Sequence, residues 1–206
     1  MNLPNKLTIA RLLATPLFVV LLTVSFTGNY TAALIIFVLA MITDFFDGAL
    51  ARTRGQITDA GKLLDPLADK ILITSAFIIF VGLEEVRLPA WLVIIIVSRE
   101  FAITGLRLVA AGKGKIIPAG RWGKHKTLTQ VITVSAILVY LCLYYDSRIE
   151  MAEYRPLVLT LVAITAAFTI ISGGYYLFRN TRFLADLTED SPRPGKESPP
   201  PVEKSR

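Results

Sequence analysis

Five aspartates fall between positions 44 and 69, at Asp44, Asp47, Asp59, Asp65 and Asp69, in a chain of 206 residues of which only 18% are charged. Asp44 and Asp47 are three residues apart, and Asp65 and Asp69 are four apart. On a helix, either spacing puts the paired side chains on one face. Four ionised carboxylates brought to one point repel strongly unless something neutralises them. One or two hard divalent cations, which prefer oxygen ligands, are the natural neutraliser. Two such ions close together also suit an in-line displacement at phosphorus. The single histidine, His125, and the single cysteine, Cys142, lie far along the chain, which argues against zinc.

The residues between the pairs extend this picture. Gly48 leaves the helix face bare beside Asp47, so a ligand can approach the backbone closely. Arg52 sits one turn further on, placed to hold a phosphate or a nucleotide carbonyl. Gly61 lets the chain turn into the second helix. Helix capping, with pairing to Arg52, Arg54, Lys62 and Lys70, would account for one pair of aspartates. Two such pairs on neighbouring helices exceed what capping needs.

The elements that carry these residues are set by composition. The chain is 53% hydrophobic with a mean hydropathy of +0.57, whereas a soluble domain carries about 25% charged residues. Apolar content this high excludes general disorder, and a lone cysteine excludes a disulfide scaffold. A polytopic membrane protein remains. A crossing helix needs about 20 mostly apolar residues. The 32 uncharged residues between Arg11 and Asp44 are too many for one span, and Gly28-Asn29-Tyr30 marks a turn within them. The 19 residues between Lys126 and Asp146 and the 23 between Arg155 and Arg179 supply two more spans. The runs Ile71–Leu83 and Leu88–Ser98 are too short to cross unless their helices continue through charged residues: Asp65, Asp69 and Lys70 in one, Arg99, Glu100 and Arg107 in the other. The expectation is an all-α protein with six transmembrane helices near 6–27, 31–53, 62–83, 88–111, 124–145 and 156–180.

Charge asymmetry orients it. Of 22 Lys and Arg residues, Arg87, Arg148 and Arg155 fall at one face and Arg99 inside a span; the other 18 share the opposite side. By the positive-inside rule that side is cytoplasmic, with both termini. The start of the chain lacks a small-residue cleavage site after a short apolar core, so no cleavable signal peptide is expected. Residues 1–181 read as one helical domain and 182–206, with Pro192, Pro194, Pro199, Pro200 and Pro201, as a disordered cytoplasmic tail.

The run Asp44-x2-Asp47-Gly48-x2-Ala51-Arg52-x8-Gly61-x3-Asp65-x3-Asp69 resembles, at every position and gap, the signature of the CDP-alcohol phosphotransferase family. The resemblance implies six transmembrane helices, usually a homodimer, and two metal ions, Mg²⁺ or Mn²⁺, held by Asp44, Asp47, Asp65 and Asp69. It implies transfer of a phosphatidyl or related group from a CDP-linked donor to an alcohol, with release of CMP. Asp69 is then the general base, and the donor is expected at Gly48, Arg52, Gly61, Asn5 and Thr8. The opening Asn5-Lys6-Leu7-Thr8-Ile9-Ala10-Arg11, the stretch Ser98-Arg99-Glu100 with Gly105-Leu106-Arg107, and Gly123-Lys124-His125-Lys126-Thr127 with Gln130 resemble the branch of the family that uses CDP-diacylglycerol and glycerol 3-phosphate and makes phosphatidylglycerophosphate.

An acceptor that is itself a phosphate needs cations beyond those at the donor. Arg99 and Arg107, eight apart and about 80° around a helix, can face one cavity. Together with Lys124 and Lys126 they are the expected acceptor-phosphate residues, with Glu100 orienting Arg107, while Lys113 and Lys115 read as ordinary cytoplasmic charge near anionic lipid. Arg99, within an apolar stretch, needs a partner. His125 reads as solvated or touching phosphate, Cys142 as a lipid-facing or packed residue in mid-helix, and Trp91 as an interfacial anchor. Other acceptors on the same fold (inositol phosphate, phosphatidylglycerol, serine), an intramembrane prenyltransferase and a divalent-cation transporter are the competing readings. The transporter would place its ligands near the midplane, not at helix ends. The net charge of +6 fits membrane lipid and phosphate substrates and gives no reason to expect nucleic acid. A bacterial cytoplasmic membrane, with the site at its inner face, is the expected location.

Overall fold

The computed structural model describes residues 3–54, 59–112, 121–146 and 154–181, with side chains for 8–43, 68, 70–112, 126–146 and 154–181. Every element among the described residues is a helix. The elements are α1 (Leu3–Thr23), α2 (Asn29–Arg54), α3 (Asp59–Gly82), α4 (Ala90–Gly112), α5 (Arg121–Leu141), a π-helical turn over Cys142–Asp146, and α6 (Arg155–Arg179). The Pro-rich stretch 182–206 lies outside the described residues.

The turn expected at Gly28 closes α1 against α2, and Gly28 takes a φ of +88°, a conformation that glycine adopts without strain. Asn29 donates its side-chain N–H to the Leu21 carbonyl at 3.3 Å, so a carbonyl left over at the end of α1 is satisfied by the first residue of α2. This ends α1 four residues before the expected position 27. Helices α3 and α4 do continue through the charged residues that interrupt their apolar runs, from Asp59 in one and through Arg107 in the other.

Helix α1 packs on both α2 and α3; α5 touches α2, α3 and α6; α4 lies against α3 and α6. Among the described residues, α2 and α3 meet chiefly through α1 and α5. The core runs down the middle of the bundle, with Phe18, Phe37, Phe77 and Phe80 fully buried beside Leu72, Ile137, Leu138 and Val162. The Phe18 and Phe37 rings are 5.9 Å apart between centroids, joining α1 to α2.

Polar groups hold the end remote from the aspartates. Asp146, closing the π-helical turn, accepts from the Thr31 backbone N–H at 2.7 Å and the Thr31 hydroxyl at 2.6 Å, which caps the start of α2 from another helix. Tyr30 donates to Glu85 at 3.0 Å, and the Tyr140 and Tyr154 rings stack 3.5 Å apart. Cys142 sits in this turn within 3.1 Å of the Thr31 hydroxyl, a packed position at the helix end and not in mid-helix.

The distribution of polarity is inverted relative to a soluble bundle. Leu13 (66% exposed), Ile94 (62%), Trp91 (62%) and Phe178 (81%) face outward, while Thr8, Arg11, Thr15, Glu100, Lys126, Gln130, Thr133, Thr165 and Thr169 are buried. An apolar exterior around buried polar groups is the pattern a bilayer solvent favours. Among the described residues, two segments, Lys126–Asp146 and Arg155–Arg179, are long and apolar enough to cross a membrane. Shorter apolar stretches run over Thr8–Thr23, Asn29–Thr43 and Lys70–Gly82.

Candidate active site

The aspartates occupy one end of two helices. Asp44, Asp47, Gly48 and Arg52 lie in the C-terminal half of α2, and Gly61, Asp65 and Asp69 in the N-terminal half of α3. Four residues separate the two helices in sequence. The side chains of the four aspartates, Arg52, Asn5 and Lys124 lie outside the described residues; the backbones of all these residues and of the two glycines are helical. The donor set is carboxylate only, which matches hard, oxygen-seeking ions such as Mg²⁺ or Mn²⁺. Both carrier helices pack on α1, whose buried stripe runs Thr8, Arg11, Thr15, Phe18, Leu22. Because α1 runs antiparallel to α2 across a tight turn, Thr8 and Arg11 sit at about the level of the Asp44 backbone, with Phe18 and Leu22 toward the remote end.

A second cluster forms where α3, α4, α5 and α6 come together. Its centre is Glu100 on α4, which is 4% exposed. Lys70 of α3 places its Nζ 3.1 Å from Oε2. Arg99 donates from Nη1 to Oε1 at 3.1 Å, Gln130 of α5 donates to the same oxygen at 3.3 Å, and Lys126 of α5 pairs with it as well. A buried carboxylate is tolerated when paired and hydrogen-bonded, and three helices meet that requirement here. Sequence spacing alone points Glu100 at Arg107, and the structure corrects this. Seven residues along a helix is about 10 Å of rise, and nearer cations from α3 and α5 take the carboxylate instead.

Arg99 has the partners its position demands. Its Nη2 donates to the Ser172 hydroxyl on α6 at 3.0 Å, and Ser172 in turn donates to the Thr169 carbonyl at 3.2 Å. Helix α6 comes this close because residue 173 is glycine. A Cβ there would lie 3.0 Å from Arg99 Cγ and 3.2 Å from its Nε. One turn further, Tyr176 carries a buried hydroxyl with no hydrogen-bond partner among the described residues, and it interacts electrostatically with both Arg99 and Arg107. Arg107 itself is exposed.

The expected acceptor residues thus divide. Arg99 and Lys126 are brought together on one carboxylate, Arg107 is exposed on the same helix as Arg99, and Lys124 is placed on the first turn of α5 by its backbone alone. Lys70, Glu100, Gln130, Ser172, Gly173 and Tyr176 join the cluster as residues that spacing did not single out for this role. On α6 a signal was present in the sequence: Thr165, Thr169, Ser172 and Tyr176 recur at steps of four, three and four, a polar stripe along an apolar helix. Thr165 spends its hydroxyl on Thr133 of α5 at 2.8 Å, which registers α6 against α5 beneath the cluster.

The helix that ends the aspartate run also carries Lys70 into the Glu100 cluster, so the two sets of residues share α3. Comparison with known proteins bears on that arrangement. A family model described as CDP-alcohol phosphatidyltransferase matches residues 1–173. A protein of Bacillus subtilis named CDP-diacylglycerol–glycerol-3-phosphate 3-phosphatidyltransferase is 39% identical over 191 residues, covering 87% of this chain and 95% of the relative. One of the same name from Rickettsia typhi is 34% identical, covering 86% and 96%. A probable phosphatidylglycerophosphate synthase of Mycobacterium tuberculosis is 36% identical, covering 91% and 86%. The family signature, its match over most of the chain and these relatives agree, and the chain belongs to the CDP-alcohol phosphatidyltransferase family.

Proposed function

We propose that this protein transfers the phosphatidyl group from CDP-diacylglycerol to glycerol 3-phosphate, giving phosphatidylglycerophosphate and CMP. The observation that carries this reading is the similarity over 86% or more of the chain to relatives named for that reaction. The cation cluster at Arg99 and Lys126, next to the aspartate helices, supports a phosphate-bearing acceptor.

In this account the acceptor hydroxyl attacks the phosphorus that bears diacylglycerol. The new P–O bond forms as the bond to the CMP phosphate breaks, and CMP leaves with the electron pair. Asp69 takes the hydroxyl proton as general base. Two divalent ions, when bound by Asp44, Asp47, Asp65 and Asp69, supply charge neutralisation of the pyrophosphate. Gly48 and Gly61 admit the donor close to the backbone, while Arg52, Asn5 and Thr8 bind its nucleotide end. Arg99, Arg107, Lys124 and Lys126 hold the acceptor's phosphate, and their positive charge favours an acceptor that carries one. All six helices cross the membrane in this reading, with both termini and the site at the cytoplasmic face of a bacterial inner membrane. The side shared by 18 of the 22 cations and the apolar exterior support it. A homodimer is part of the proposal because the family resemblance implies one.

Release of CMP by the purified protein in detergent, with CDP-diacylglycerol and one acceptor at a time, tests the assignment. Glycerol 3-phosphate is expected to drive release, with inositol phosphate, phosphatidylglycerol and serine at background. Release driven by another acceptor overturns the assignment of substrate while leaving the family intact.

A further inference from the structure

Arg99 and Lys126, the proposed phosphate ligands, share a carboxylate that has no part in the reaction itself. Two cations from different helices repel, and in a bundle with an apolar exterior there is little water to screen them. Left to themselves, Arg99 and Lys126 would separate or turn outward. Glu100 prevents this. Its Oε1 receives Arg99, Lys126 and Gln130, and its Oε2 faces Lys70. The two oxygens thus look in different directions, one toward α4 and α5, the other toward α3 at the residue next to Asp69. Gln130, a neutral donor one turn from Lys126, fixes the rotation of the carboxylate without adding charge. At 4% exposure, Glu100 has no route by which it could itself meet a bulky substrate first. Arg99 keeps donors for a ligand: of its five N–H groups, one on Nη1 goes to Glu100 and one on Nη2 to Ser172, which leaves one on each Nη.

We propose that Glu100 is the positioning residue of the acceptor-phosphate subsite, holding Arg99 and Lys126 at a spacing that fits one phosphate and tying that spacing, through Lys70, to the helix that carries Asp69. The inference rests on the acceptor reading above. Its distinctive consequence is selectivity of effect: loss of Glu100 weakens use of the acceptor and leaves use of the lipid donor alone. A residue that merely held the fold together would lower both in proportion to the folded fraction.

The test is steady-state kinetics of CMP release in detergent, with each substrate varied in turn, for wild type, Glu100→Gln, Glu100→Asp and Arg99→Ala. Glu100→Gln, which keeps the shape and removes the charge, is expected to raise KM for glycerol 3-phosphate by about tenfold or more, as for loss of one charge-assisted hydrogen bond. KM for CDP-diacylglycerol is expected to stay within about twofold, since no donor contact is removed. Glu100→Asp, which keeps the charge on a shorter arm, is expected to recover part of the loss. If Glu100→Gln does not fold, Glu100→Asp alone carries the same prediction, at about threefold. An unchanged acceptor KM in a folded Glu100 variant, or a parallel change in both KM values, overturns the proposal. Failure of the reading beneath it looks different: wild type would not turn over glycerol 3-phosphate, or Arg99→Ala would leave its KM unchanged.

Discussion

Gly173→Ala places one methyl group against Arg99, the side chain proposed to bind the acceptor's phosphate. The new Cβ would lie 3.0 Å from Arg99 Cγ, 3.2 Å from Nε and 3.7 Å from Cδ. Carbon atoms in contact prefer about 3.5–4.0 Å, so Arg99 has to yield by roughly half an ångström. It cannot do so freely, because the α4 backbone holds one end while Glu100 and Ser172 hold the two Nη atoms. Crowding of this kind typically costs about 1–3 kcal/mol, offset by roughly 1 kcal/mol from the better helix propensity of alanine, so the fold survives. The geometry of the guanidinium does not. One misaligned charge-assisted hydrogen bond is worth about 1.5–3 kcal/mol, which is about tenfold to a hundredfold in acceptor KM at 1.4 kcal/mol per decade. Gly174→Ala is the control, since a Cβ there meets nothing within 4 Å. The assay is CMP release with glycerol 3-phosphate varied, alongside thermal unfolding in detergent. A folded Gly173→Ala enzyme with wild-type acceptor KM would refute the claim that α6 clamps Arg99 for acceptor binding.

Asp146→Ala removes two hydrogen bonds from the start of α2 and is expected to cost about 1–2 kcal/mol, as for a lost helix cap. That end is about 20 Å of helix rise from Asp44, so a lower unfolding midpoint with both KM values unchanged is the expected result. Chelation with EDTA is expected to abolish CMP release, and added Mg²⁺ or Mn²⁺ to restore it; full activity in chelator would remove the metal assignment.

Much of the helix plan was readable because its signals are local. A charge gap too long for one helix and Gly28 in its middle locate α1 and α2, and the structure ends them at that turn. The aspartate spacing places both pairs on helices because a signature of fixed residues and gaps leaves no other register. Arg99 in an apolar run announced a buried partner, and it has two. Which partner Glu100 takes was not readable. Periodicity gives the face of one helix, but the rotation of α3 and α5 toward that face is settled by packing around Phe77, Phe80 and Leu138. Ser172 and Tyr176 were missed for a related reason. They lie more than 40 residues beyond Lys126, and only the closeness permitted by Gly173 makes them neighbours of Arg99. The cap from Asp146 to Thr31 spans 115 residues and depends on a π-helical turn that no local pattern foretold.

The central claim is that a carboxylate on α3 takes the acceptor's proton while phosphatidyl passes from CDP-diacylglycerol to glycerol 3-phosphate. It is tested most directly by measuring CMP and lipid product together, for wild type and for Asp69→Asn. The account predicts phosphatidylglycerophosphate and CMP in equal amounts from wild type, and neither from a folded Asp69→Asn protein. CMP without that lipid, or undiminished turnover in Asp69→Asn, would contradict it.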